Sequence, residues 1–80
     1  MPTVLIIEGY RFFFYSNEND EPPHIHVGQG RHRPECKFWL DPVLLARNFG
    51  FSPRDLNHIK SLVDGHVAEF LGAWDEHFGN

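Results

Sequence analysis

Apolar and polar residues alternate through the first half of the chain and follow a helical period through the second. Thr3 to Ile7 is a short β-branched run and reads as a strand. Gly9 marks a tight connection into Tyr10 to Tyr15, so the first two strands are expected to form a hairpin. In that second strand Tyr10, Phe12 and Phe14 face one way, and Arg11, Phe13 and Tyr15 the other. Both faces are largely aromatic, which implies core on one side and partial cover on the other. Ser16 to Glu21 is a polar loop, and Pro22-Pro23 then imposes extended backbone. His24 to Val27 is the third expected strand, Gly28-Gln29-Gly30 a turn, and Arg31 to Pro34 a loop extension. Glu35 to Leu40 is the fourth strand, with Cys36, Phe38 and Leu40 alternating against Glu35, Lys37 and Trp39.

Helical signals begin at Asp41-Pro42, which reads as an N-cap followed by proline at the first helical position. A short helix is expected from Val43 to Asn48, ending near Gly50. Ser52-Pro53-Arg54-Asp55 repeats the start signal, with an acid where a capping box places one. A long helix is expected to run from there to about Phe78. Leu56, Ile59, Val63, Val67, Phe70, Trp74 and Phe78 give it one apolar stripe. Gly65 and Gly72 weaken it, and Asp64-Gly65 is where a kink would fall. The expected fold is therefore α+β: a four-stranded, mainly antiparallel sheet, then a short helix and a long C-terminal helix packed on one face, in the order ββββαα.

Eighty residues allow one hydrophobic core, so residues 1–80 read as a single domain. Eight Phe, two Trp and two Tyr supply that core with large side chains. The single cysteine, Cys36, excludes an internal disulfide and fits a reducing cytoplasm; its strand position makes it a small core residue before a nucleophile. The opening residues read as neither a signal peptide nor a membrane span. Seven Lys and Arg against eleven Asp and Glu give a formal charge of −4, which argues against non-specific nucleic-acid binding. The positive charge that exists clusters at Arg31, His32, Arg33 and Lys37.

The chemistry centres on Glu21-Pro22-Pro23-His24-Ile25-His26-Val27. On a strand His24 and His26 stand side by side, opposite Ile25 and Val27. Three uses follow: two ligands for a metal ion, a general acid and base, or, with Arg11 or Arg31, a phosphate or carboxylate clamp. The plainer alternative is two polar residues on a solvated face. The metal use lacks a clear third ligand; Cys36, His32 and Glu35 are nearest, and no metal or cofactor is expected. Acid–base work is most easily pictured as metal-independent RNA cleavage, with His24 and His26 as acid and base, Arg11 on the phosphate and Tyr15 beside them. Arg31 and Arg33, with Lys37 and Trp39, are the expected binding residues. Trp39 points away from the Cys36, Phe38 and Leu40 face; exposed, it is a partner hot spot, and covered by the short helix, it is core. His58 projects off the helical stripe, while His66 and His77 border it.

GYRFFFYSNE at 9–18, EPPHIHV at 21–27, KFWLDPVLLARNFGFS at 37–52 and EFLGAWDEHF at 69–78 resemble the small bacterial family called domain of unknown function 4160. The resemblance covers nearly the whole chain. It carries no established activity. Genes of that family often lie beside those of domain of unknown function 2442, and such pairs have been suggested to be toxin–antitoxin modules. The resemblance thus implies a small protein partner encoded nearby. The leading expectation is a bacterial protein-interaction module, one half of such a pair, with a surface site at His24 and His26. The alternatives are a ribonuclease-like toxin using those histidines and a metal-binding domain.

Overall fold

The computed structural model describes residues 3–17, 20–32 and 34–79. Five strands run β1 (Thr3–Ile7), β2 (Tyr10–Phe13), β3 (His24–Gly28), β4 (Glu35–Leu40) and β5 (Val43–Phe49), followed by α1 (Pro53–Gly65) and α2 (Val67–Phe78). Each strand pairs antiparallel with its chain neighbour, so the sheet order is β1-β2-β3-β4-β5. The α+β class and the antiparallel sheet agree with the pattern of the sequence, but the sheet has five strands where that pattern shows four.

Local chemistry fixes the first hairpin. Ile7 pairs with Tyr10 across a two-residue turn in which Glu8 and Gly9 both have positive φ, 54° and 83°. That mirror-image turn matches the twist of the strands it joins, and Gly9 adopts its half without steric cost. Glu8 Oε1 also lies 2.6 Å from His58 Nε2, which ties the turn to α1. Both partners are about half exposed, so the contact orients more than it stabilises.

The fifth strand replaces the expected short helix. Leu, Ala and Arg in Val43–Phe49 carry helix propensity and the segment shows no alternation, yet β4 offers a row of backbone partners that a one-turn helix cannot match. Leu40 pairs with Val43, so Asp41-Pro42, joined by a cis peptide, is the turn of a hairpin rather than a helix start. A bulge interrupts this ladder: Lys37 faces Arg47 while Phe38 faces Leu45. The extra residue, Ala46, breaks the two-residue period and hides the strand from pattern reading. Asn48 closes the exit, its Nδ2 donating to the Phe51 carbonyl at 2.9 Å and its Oδ1 accepting from the Phe51 N–H at 3.1 Å. Gly50, at φ 103°, turns the chain beside Pro34.

Ser52 caps α1 as expected, its Oγ accepting from the Asp55 N–H at 3.1 Å. The long helix, however, is two. Gly65 ends α1, and His66 leaves helical geometry at φ −125°, ψ 15°. Its N–H bonds to the Val63 carbonyl, and its Nδ1 lies 2.8 Å from the Leu62 carbonyl, to which it donates in the Nδ1–H tautomer. The break costs little because the apolar stripe survives it. Ile59, Val63, Phe70 and Trp74 are buried, and Leu56, Val67 and Phe78 pack around them.

Both helices cover one sheet face. Phe12, Phe14, Ile25, Val27, Cys36, Phe38 and Leu40 meet the helical stripe there, with Phe12 stacked on Phe70 at 5.2 Å between ring centroids. Phe70→Ala should therefore cost about 3–5 kcal/mol, while Ser52→Ala should cost about 1 kcal/mol. Urea denaturation of the two variants checks this ranking.

Candidate functional site

The uncovered face of the sheet carries the chemistry. One row runs across four strands: Phe13 faces His26, His26 faces Lys37, and Lys37 faces Arg47. A second row runs from Arg11 through Gly28 and Glu35 to Phe49. Gly28 has no side chain, and the Phe13 ring edge lies over it, 3.4 Å from where a Cβ would stand. A third places His24 opposite Trp39.

Without a helix above it, this face is closed by its own long side chains. The Arg11 guanidinium lies 4.0 Å from the Phe13 ring centroid, and the Lys37 ammonium 4.6 Å from that of Trp39. Arg47 sits 5.8 Å from Phe49 in the same two-residue relation. Such contacts contribute about 0.5–1 kcal/mol each at exposed sites. They also let charged heads remain wet while their stems cover aromatic carbon.

His26 lies at the base of a cleft of about 220 Å³ whose lining includes Tyr15, Glu21, Glu35, Lys37, Arg47 and Phe49. The His26 ring is stacked on Phe13 at 5.5 Å and meets Tyr15 edge-on at 4.6 Å. Its Nδ1 stands 3.5 Å from Glu35 Oε2. The Tyr15 hydroxyl reaches both oxygens of the same carboxylate, at 3.0 and 3.1 Å. Glu35 thus orients the imidazole and the phenol together. Across the cleft, Lys37 Nζ donates to Glu21 Oε1 at 2.5 Å. Arg47 is exposed and makes no ion pair among the described residues.

His24 lies elsewhere. It is fully buried, its Nδ1 3.0 Å from the Pro22 carbonyl. Its ring contacts Trp74 of α2 at 4.8 Å, His26 at 5.1 Å and Trp39 at 5.8 Å. The stiff Pro22-Pro23 entry therefore delivers a histidine that joins the sheet to α2. It does not line the cleft, so the expected surface pair of histidines is one buried joint and one cleft residue, His26, itself only 7% exposed. Of the other residues singled out by sequence, Tyr15 and Lys37 join His26. Arg11 covers Phe13, Trp39 is half-buried beneath Lys37, and Arg31 is exposed in the β3–β4 loop. Arg33 lies outside the described residues. No group of three His, Cys, Asp or Glu side chains among the described residues is placed to hold a metal ion.

Arg47 and Phe49 line the cleft although the sequence pattern gives them no site role, Glu21 enters as the first residue of the Glu21 to Val27 stretch, and Glu35 enters in a new role. Glu35 was legible, since it shares strand parity with Lys37 and Trp39. Arg47 is not legible, because the pattern of Val43 to Asn48 predicts a short helix, and Phe49 falls in the connection expected between that helix and Gly50.

The residues from Gly9 to Asp75 match the family described as Domain of unknown function (DUF4160). The chain belongs to the DUF4160 family. The match spans β2 to most of α2 and contains the whole cleft, so in DUF4160 terms the site lies within the family's own domain. No curated protein and no solved structure matches the chain. Among the described residues, no helix is long and apolar enough to cross a membrane.

Cys36 lies beneath the cleft and is buried, and burial first, then the charge of Glu35, pushes its thiol from 9.0 up to about 12. Tyr10 is also raised, by burial first and then by the charges of Asp55 and Glu8. In the unfolded chain the Cys36 thiol ionises near 9.0, whereas the folded chain holds the proton to about 12. The unfolded state therefore gains as pH rises between those values. Stability should fall from pH 9 to 12, the fall should be shallower in Cys36→Ala, and native Cys36 should resist alkylation at pH 8. Denaturant titrations across that pH range and timed iodoacetamide labelling measure these effects.

Proposed function

We propose that this chain is a protein-interaction module, one component of a toxin–antitoxin-like pair encoded side by side in bacteria and acting in the cytoplasm. The observation that supports this most is the outer strand β5. It pairs only with β4 among the described residues and exposes Leu44 by 54%, Leu45 by 44% and Phe49 by 40%. An apolar outer strand of seven residues is a template for strand addition. Co-expression with the product of the adjacent gene should give a complex on size exclusion. Leu45→Lys should weaken that complex by about tenfold or more. A complex that ignores this substitution sinks the docking site.

The cleft supports a second reading, metal-independent cleavage of RNA. Such cleavage needs a base at the 2′-hydroxyl, an acid at the leaving oxygen and cations on the phosphate. The Glu35 carboxylate and the His26 imidazole stand 3.5 Å apart, and Lys37 and Arg47 line the same cleft. The acid–base pair then becomes His26 with Glu35, and His24 supports it from the α2 side. Induced expression should arrest bacterial growth with fragmentation of RNA, and Glu35→Gln or His26→Gln should relieve both with unchanged circular dichroism. Arrest that persists in both variants removes this reading.

A further inference from the structure

The two flanks of β5 specify what pairs with it. On the open-face flank stand Arg47 and Phe49, at the mouth of the cleft. On the helix flank, Leu45, opposite Phe38, joins Phe38, Pro53, Leu56 and Lys60 around a mostly apolar groove of about 330 Å³, which Leu44, opposite Trp39 of the open face, also borders. Side chains of a strand alternate between faces, so a strand added to β5 sends every second residue to each flank. Its cross-strand neighbours are the residues of β5 themselves. On the open face it therefore meets Arg47 and Phe49 first, with Glu35 one strand further in, opposite Phe49. Lys37, also one strand in, is already paired with Glu21, whereas Arg47 makes no ion pair among the described residues.

Resting on the edge-docking reading, we propose that the partner of β5 is an extended segment of another protein in which acidic and apolar residues alternate. The carboxylate side chains lie over Arg47, and the apolar ones enter the groove beside Leu45. A second copy of this chain does not fit that description. Its two outer strands, Thr3–Ile7 and Val43–Phe49, contain no Asp or Glu, so neither brings a carboxylate to Arg47. Pairing β5 with another β5 brings arginine instead, which disfavours self-association through this edge.

The probes are two synthetic peptides as long as β5, one alternating valine with glutamate and the other valine with lysine, titrated into the full chain with backbone amide shifts as the readout. The glutamate peptide should bind about tenfold tighter, with the largest shifts at residues 43–49. Arg47→Glu, an exposed substitution, should invert the preference, and Leu45→Lys should weaken both peptides. Equal affinities, or a preference that Arg47→Glu leaves unchanged, overturn the acidic partner while leaving edge docking intact. Shifts that avoid residues 43–49 overturn this proposal too, and the co-expressed complex with Leu45→Lys then decides separately whether edge docking stands.

Discussion

A five-stranded sheet with helices on one side only has to close its other face with its own side chains. Phe13 on that face is as deeply buried as Phe12 on the helical face, at 1% and 0% exposure, although among the described residues both helices pack on the other face. Arg11, Tyr15 and His26 surround its ring. The same solution recurs with Lys37 over Trp39 and with Arg47 near Phe49. Charged and aromatic residues two apart on a strand share a face, so the primary sequence writes each pair directly. The cleft is the gap left between these local lids, which is why its lining mixes cations, carboxylates and rings.

This arrangement explains what the chain reveals by inspection and what it withholds. The hairpin at Glu8-Gly9, the strands around Ile25 and Phe38, the Ser52 cap and the helical stripe depend on local chemistry or on an unbroken period, and all are readable. The fifth strand depends on pairing with β4 through a bulge at Ala46, a tertiary event that overrides the helical propensity of Leu44, Leu45 and Ala46. The loss carried over to the site, since Arg47 and Phe49 fall in that segment. His24 shows the converse. Its alternation with Ile25 is legible, but its burial against Trp74 depends on where α2 lands, fifty residues later in the chain.

Glu35 is the residue on which the cleft turns. It accepts the Tyr15 hydroxyl, stands beside His26 Nδ1 and contributes to holding Cys36 protonated. An interaction surface and a catalytic site place different demands on it. Docking uses the cleft as a patterned wall beside the outer strand, whereas cleavage uses the carboxylate and imidazole as proton carriers. The two proposed functions therefore separate cleanly at this side chain and at Leu45, which lies on the opposite flank of β5.

The sequential strand order also bears on how the protein is made. Every strand finds its partner in the segment synthesised just before it, so the sheet can assemble by successive hairpins with short loops to close. The helices that shield Ile25, Val27 and Phe38 are encoded after the whole sheet. During translation a nearly complete sheet leaves the ribosome with one apolar face bare until α1 and α2 emerge. The interval before those helices dock is when the nascent chain is most exposed to misassociation and most in need of chaperone cover.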